Sequence, residues 1–170
     1  MSAKNPKEVF LFLLNDARNG ADHTGKLYHE MGELAGRPEI KEILEARAFL
    51  QNKIISALDQ CFKLIGEKPV VPVGGRLREV FEEDFRREFA EIQSPAAKAL
   101  FVLAKASHLT HLRMGEYVVL IAAADMTGHH GVGLLLESCL ADQTALMERL
   151  RRTVRHLIEE KVEGRGHGFK

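Results

Sequence analysis

The sequence predicts an all-α protein, a four-helix bundle with one short extra helix in the connection between the second and third helices. Apolar residues recur at three- and four-residue spacing along four segments, each of roughly 30 residues, which is the period of a helix that buries one face. Gly and Pro residues separate these segments. The Val70–Val73 stretch is interrupted by Pro72, so no strand of useful length is expected.

The first helix is expected to begin at Pro6, because Asn5 is a capping residue that precedes a proline at the first helical position. Its apolar residues continue to Leu34. Gly20 and Gly25 lie inside it, and each costs about 1 kcal/mol relative to alanine. These two glycines therefore indicate a close helix contact or a local bend.

The second helix is predicted between two glycine turns. Residues 36–39 (G-R-P-E) end the first helix and start the next one, and Gly66 ends the second. Residues 67–75 contain two prolines and two glycines, so they form a connection. The apolar face of the second helix consists of Ile40, Ile43, Leu44, Leu50, Ile54, Leu58 and Phe62.

A short, highly charged helix is predicted over residues 76–92, with Phe81, Phe85 and Phe89 in a narrow apolar stripe. This stripe has two interpretations, which do not exclude each other. The rings can pack onto the bundle as a lid. They can also form a self-association surface, because aromatic residues with an arginine rim are favoured at interfaces.

The second half of the chain contains the third and fourth helices. The third is expected over Pro95–Met126, capped by Ser94, and the fourth over Val132–Glu163. Residues 1–163 then form a single domain, and residues 164–170 form a disordered tail.

Composition excludes several classes of function. The chain has 170 residues, with 24 Lys plus Arg and 24 Asp plus Glu, so no overall field attracts nucleic acid. Cys61 and Cys139 lie in apolar helical stretches, and no leader is seen, so we expect reduced thiols and a cytoplasmic protein. The apolar Tyr117–Ala124 segment stops at Asp125, far short of the roughly 20 residues of a membrane span.

Catalytic motifs are also missing from the sequence. Neither cysteine has a histidine nearby in sequence, and no glycine-rich phosphate loop precedes a helix. No serine lies in a nucleophile elbow. We therefore expect no enzymatic activity.

Metal binding inside a bundle needs carboxylates and imidazoles that point inward from facing helices. His108 and His111 lie three residues apart and could chelate a divalent ion, although a histidine on an apolar face is more often structural. Further candidate donors are Asp16, His23 and Asp142. The inward stripe of the third helix is expected to contain Leu100, Leu103, Ser107, Thr110, Met114, Tyr117 and Ile121.

Four segments resemble those of a known family. Phe10–Asp16 looks like an F-x-x-x-L-x-D first helix, and Gly66–Pro69 looks like the family's exit from the second helix. Thr110–Tyr117 is similar to an E-H-x-E-x-x-x-Y signature, and Leu135–Gln143 to L-L-x-x-x-L-x-E-E. On these segments the chain resembles the bacterial ferritin-like YciE/YciF family of stress-associated proteins, over residues 9–157. The resemblance implies a ferritin-like bundle.

The resemblance also implies metal donors at positions where this chain mostly has none. His111 and Asp142 match donor positions by type, but two protein donors cannot hold a bridged pair of irons. An inward arginine would add positive charge where cations should lie. The residues that replace the expected donors are Thr24, Arg47, Leu50, Gln51, Thr110, Arg113 and Gln143.

The resulting hypothesis is a non-catalytic bundle with a structural or stress-associated role, a degenerate metal site and an apolar, donor-poor interior. A homodimer is expected from the resemblance and from the Phe-rich helix, and no cofactor is expected. One alternative is an iron-binding or di-metal oxidase-like protein that uses Asp16, His23, His108, His111 and Asp142. The other is an adaptor that binds a protein partner through the helix of Phe81, Phe85 and Phe89.

Overall fold

The computed structural model describes residues 5–70 and 76–166. All five of the predicted helices form there, and the prediction of an all-α, ferritin-like four-helix bundle with a short extra helix is confirmed. No strand occurs within these residues. The helices are α1 (Pro6–Leu34), α2 (Pro38–Ile65), the short α3 (Arg76–Glu91), α4 (Pro95–Met126) and α5 (His130–Gly166).

The helix ends follow the capping residues in the sequence. The Asn5 side chain accepts a hydrogen bond from the Glu8 N–H and starts α1, with Pro6 in the first turn. Gly66 ends α2 in a left-handed conformation with φ 73°, which glycine adopts without a steric penalty. Three boundaries differ from prediction: α3 ends at Glu91, one residue early, and both ends of α5 are extended. α5 begins at His130 and continues through Gly166, so the first residues of the predicted tail are helical, and 167–170 lie outside the described residues.

The four long helices pack as antiparallel neighbours. Arg149 of α5 contacts Glu42 of α2, whereas Asp142 contacts Lys53. The partner number on α2 thus rises as the number on α5 falls, so these two helices run in opposite directions. The hydroxyl pair of Tyr28 and Thr110 joins α1 to α4.

Two apolar clusters fill the interior, one on each side of the middle of the bundle. One cluster includes Met31, Ile43, Val102 and Leu150. The other includes Leu14, Ile54, Leu120 and Leu136. Buried polar side chains separate them, as described below.

The short helix α3 packs against the long helices. Phe85 is fully buried and its ring stacks on Phe101 of α4 with centroids 5.9 Å apart. Phe81 and Phe89 are half-buried against the same cluster. Ion pairs to α1 and α4 surround these rings: Arg78 with Asp16, Arg86 with Glu30 and Glu88 with Lys105.

The predicted inward stripe of α4 was partly wrong. Leu103, Thr110 and Tyr117 are buried as expected, but Leu100 is 60% exposed. α4 is apolar on its outer face as well, where Val118 is 57% exposed. Because apolar residues occur on all sides, their spacing does not determine which face is inward. The buried face of α4 is made of Ala99, Val102, Leu103, Ala106, Leu109, Thr110, Arg113, Tyr117, Leu120 and Ala124.

None of the helices in the described ranges has a stretch of sufficient length and apolar character to span a bilayer.

Candidate functional site

The middle of the bundle is a buried polar centre. Two layers, one turn apart, each take one residue from α1, α2, α4 and α5. In the first layer Arg47 contacts Met147, and Tyr28 contacts Thr110. The second layer consists of the residues that lie one helical turn away on the same four helices. The layers are Tyr28, Arg47, Thr110 and Met147, and then Thr24, Gln51, Arg113 and Gln143, all at most 8% exposed.

The prediction of an apolar interior is therefore wrong for the middle of the bundle. Seven buried residues of the described chain are polar or charged, and six of them belong to these two layers. The centre is poor in carboxylates, as predicted, but it is filled mainly by guanidinium, amide and hydroxyl groups. Only Met147 supplies a purely apolar side chain.

Arg113 is buried to 1% exposure, and acidic side chains near it balance its positive charge. Its Nη2 donates to the Ala17 carbonyl at 2.7 Å, and Nη1 pairs with Glu116. The neighbouring Asp16–Arg78 pair also acts on Glu116. These four side chains carry two positive and two negative charges. Burial raises the pKa of Glu116 above its ordinary value, more than the arginines lower it.

Gly20 makes room for this network. A Cβ at Gly20 would lie 2.6 Å from Nη1 of Arg78 and closer still to the Arg113 guanidinium. Two guanidinium groups therefore pass over α1 at the point where the side chain is missing. The close contact that the sequence indicated at Gly20 is a contact with arginine side chains.

Arg47 is also buried to 1% exposure, but its surroundings differ. Its Nη2 lies 3.7 Å from Met147 Sδ, and its guanidinium carbon lies 5.6 Å from the centre of the Tyr28 ring. Burial lowers the pKa of Arg47, and Tyr28 opposes that shift. Of the described residues, no carboxylate contributes to the environment of this cation.

Tyr28 and Thr110 form a directed hydrogen-bond chain. The Thr110 hydroxyl donates to the Ala106 carbonyl at 2.7 Å. Because a hydroxyl has one proton, Thr110 accepts from the Tyr28 hydroxyl at 2.8 Å. Burial raises the pKa of Tyr28, so the phenol stays neutral at physiological pH.

Several buried polar atoms near the centre have no hydrogen-bond partner in the described chain. Three are N–H groups, two are hydroxyls and two are amide oxygens. They are Arg47 Nε, Arg113 Nε, Gln143 Nε2, the Thr24 and Tyr117 hydroxyls, and the Oε1 atoms of Gln51 and Gln143.

The residues of the two layers do not fit a di-iron centre. Such a centre uses carboxylates and histidines that point inward, and neither layer contains one. Hydroxyl, amide and thioether groups carry no charge to balance iron, and the two guanidinium groups would repel it.

The histidines and Asp142, which were predicted as metal donors, lie on the outside of the bundle, and Asp16, the other predicted aspartate, pairs with Arg78. His108 and His111 are exposed, and His111 Nδ1 lies 2.8 Å from the Ser107 carbonyl oxygen. His23 is largely exposed and lies 4.0 Å from Glu82. Asp142 pairs with Lys53 at 2.6 Å. These four residues are not brought together.

A surface group that the sequence analysis missed does bring three donors together. His29, Glu33 and Glu45 place ligand atoms within 4.8 Å of one another, and within the described chain no other such group occurs. His29 and Glu33 are four residues apart, which is a recognisable helical spacing. Glu45 comes from α2, which sequence spacing could not indicate. All three are exposed, and Glu33 pairs with Lys41 at 2.8 Å.

The predicted interface residues have different positions. Phe85 is fully buried within the chain, so its ring is not available to a partner. Phe81 and Phe89 are half-buried, and each has a lysine over its ring, Lys105 and Lys98. The stripe thus packs as a lid, while the self-association interpretation stays a prediction.

Comparisons with known proteins agree with this architecture. A family model described as "Domain of unknown function (DUF892)" matches residues 5–163. Among proteins with curated descriptions, none matches the chain.

Solved structures with a similar fold include the following three. YcfI from Rhodopseudomonas palustris, for which a structural role is proposed, is 23% identical with a TM-score of 0.83, over 88% of this chain and 95% of that one. The E. coli stress protein YciF is 17% identical with a TM-score of 0.85, over 92% and 99%. A protein from Xanthomonas campestris pv. campestris is 17% identical with a TM-score of 0.73, over 95% and 99%.

Proposed function

Since the chain belongs to the DUF892 family and its fold is similar to those of a stress protein and of a proposed structural protein, we propose that it is a non-catalytic, cytoplasmic bundle protein with a structural or stress-associated role. Its centre has lost the carboxylates that a di-iron protein needs.

The chemistry of the two polar layers carries this proposal. A di-iron centre concentrates negative charge from several carboxylates around two cations. Here the two layers contain Arg47 and Arg113, and the carboxylate of Glu116 pairs with Arg113. Rebuilding a metal site would require removing two buried positive charges and adding several negative ones.

Elemental analysis tests this proposal. The protein is expressed with added iron, manganese and zinc, purified, and analysed for metal per chain. We expect no stoichiometric metal. Two or more tightly held metal ions per chain would overturn the proposal and support the metal-binding alternative.

The surface group favours one form of that alternative, a single divalent ion between α1 and α2. His29→Ala and His111→Ala form a matched pair of variants, because both residues are exposed histidines on long helices. Metal lost only with His29→Ala would place the ion in the surface group. Metal lost only with His111→Ala would support the sequence-predicted histidine pair.

Homodimerisation and adaptor function are also proposals. The observation that supports an interface is the exposed apolar surface of α4, where Leu100 is 60% and Val119 is 54% exposed. Light scattering of the purified protein, with Leu100→Glu as the disrupting variant, tests the dimer. For an adaptor that uses α3, Phe81→Ala should abolish capture of a partner while the fold persists.

A further inference from the structure

Arg47 is a buried cation without an anion. A charge removed from water is costly unless an opposite charge or several hydrogen bonds compensate it. Arg113 has Glu116 beside it, whereas the contacts of Arg47 within the described chain are a thioether and a neutral phenol. Arginine does not lose its proton in proteins. The two layers therefore carry uncompensated positive charge.

Several buried N–H groups of the two layers also lack a hydrogen-bond partner. Amide and guanidinium N–H groups can only donate, and three of them lack an acceptor: Arg47 Nε, Arg113 Nε and Gln143 Nε2. The amide oxygens of Gln51 and Gln143 are acceptors, but in the folded chain neither of them forms a hydrogen bond with Arg47 Nε or Gln143 Nε2. A buried donor without an acceptor is rare in folded proteins.

We propose that the polar centre binds a small monovalent inorganic anion, of halide size, held by Arg47 Nε and Gln143 Nε2 between α2 and α5. The side chains that bound the site come from facing positions, because Arg47 contacts Met147 and Gln143 is one turn from Met147 on the same face of α5. All of these groups are at most 8% exposed.

An anion fits this centre better than water or a phosphate. Water can accept hydrogen bonds from the N–H groups but leaves the charge of Arg47 uncompensated. A phosphate is large, and the layer around Arg47 is already closed by the Tyr28–Thr110 hydrogen bond and by Met147. A single halide supplies one negative charge and accepts from several donors in little space.

Halide-dependent stability in solution tests the proposal. The unfolding midpoint of the full chain is measured in sodium gluconate and in mixtures that replace gluconate by chloride or bromide at constant ionic strength. A bound anion stabilises the folded state by RT ln(1 + c/Kd), where c is the free anion concentration and Kd is its dissociation constant. At ten times the dissociation constant, we expect the midpoint to rise by about 3–6 °C.

Two variants and a control locate the effect. Arg47→Met removes the charge and keeps an unbranched apolar chain, and Gln143→Leu removes the second donor. Both should abolish or strongly reduce the rise. Arg87→Met removes an exposed arginine that pairs within α3, and it should keep the full rise.

Crystals grown with bromide provide a second measurement, which needs no variant. Anomalous scattering should show one bromide within hydrogen-bond distance of Arg47 Nε. Ordered water alone at this position, or a midpoint in the wild-type protein that does not respond to halide, would overturn the proposal. A bromide seen in crystals without any response in solution would overturn it as well.

The proposal uses the same centre as the proposed loss of metal binding, but the two can fail separately. Metal analysis of the same preparation tests the first, and the halide response tests the second. A chain without metal and without a halide response would retain the proposed function and lose the anion site.

Discussion

Replacing Gly20 by alanine should destabilise the protein, although alanine is the better helix former. The new Cβ would lie 2.6 Å from Arg78 Nη1 and closer to the Arg113 guanidinium, whereas ordinary contacts lie at 3.4–4 Å. The two groups would have to retreat by about 1 Å. Because Arg113 is buried and bound to the Ala17 carbonyl and to Glu116, that shift breaks at least one hydrogen bond.

Gly115→Ala is the matched control for Gly20→Ala. Gly115 also lies inside a long helix, and a Cβ there meets nothing within 4 Å. Both substitutions gain about 1 kcal/mol of helix propensity, so this term cancels in their difference. What remains is a hydrogen bond of a charged group, about 1.5–3 kcal/mol.

Thermal unfolding of both variants measures this difference. In a domain of this size 1 kcal/mol shifts the midpoint by about 2–4 °C. Gly115→Ala should therefore unfold about 2–4 °C above the wild type, and Gly20→Ala about 3–12 °C below Gly115→Ala. If both variants are stabilised equally, the guanidinium groups do not occupy the space beside Gly20, and the described network is wrong.

Three further predictions concern α3, the half-buried carboxylate of Glu116 and the two buried thiols. Phe85→Ala should cost about 3–5 kcal/mol in chemical denaturation, whereas Phe49→Ala, at a side chain 74% exposed, should change stability by less than about 0.5 kcal/mol; equal effects would contradict the packing of α3. The pKa of Glu116 is raised above its ordinary 4.5 in the folded state, so the folded state binds this proton more tightly and stability gains from Glu116 as pH falls toward 4.5. Glu116→Gln should lose that gain, and unfolding measured from pH 7 to pH 5 checks it. Burial raises the pKa of Cys61 to about 12 and of Cys139 to about 11, so a thiol reagent at pH 8 should react only when the chain unfolds.

The sequence predicted several helix ends well because a residue with a local physical role lies at each of them. Pro6 and Pro95 start helices, and Gly66 ends one in a left-handed conformation. These signals act within a few residues, so they need no knowledge of the fold. The inward face of α4 was harder to predict. In a helix that is apolar on all sides, the spacing of the apolar residues does not show which side is buried.

The family resemblance indicated which sequence positions lie in the polar centre. It did not indicate where the residues next to them in the sequence would point. Consecutive helical residues point about 100° apart. Thr110 is therefore fully buried while His111 is exposed, and Gln143 is buried while Asp142 reaches Lys53. A donor one residue away from an inward position lies on a different face, which a motif match by residue type does not show.

The unequal partners of the two arginines could be learned only from the folded chain. Arg113 and Glu116 are three residues apart, so their pairing is visible in the sequence. The lack of a carboxylate beside Arg47 depends on what α1 and α5 place opposite it, and these helices supply Tyr28 and Met147. Because Tyr28 and Met147 lie on other helices, the spacing of residues along α2 does not reveal either contact.

A bundle centre without metal-binding carboxylates could serve packing alone, or it could bind a different ligand. If the centre served packing alone, apolar side chains of similar volume would stabilise it as well as or better than buried charges. The apolar clusters on both sides show that the chain supplies such side chains elsewhere. A cation with unpartnered N–H groups is therefore a poor filler, and it is most stable when an anion completes it. The two layers carry buried positive charge where a metal-binding bundle uses carboxylates, and the proposed anion would supply the opposite charge.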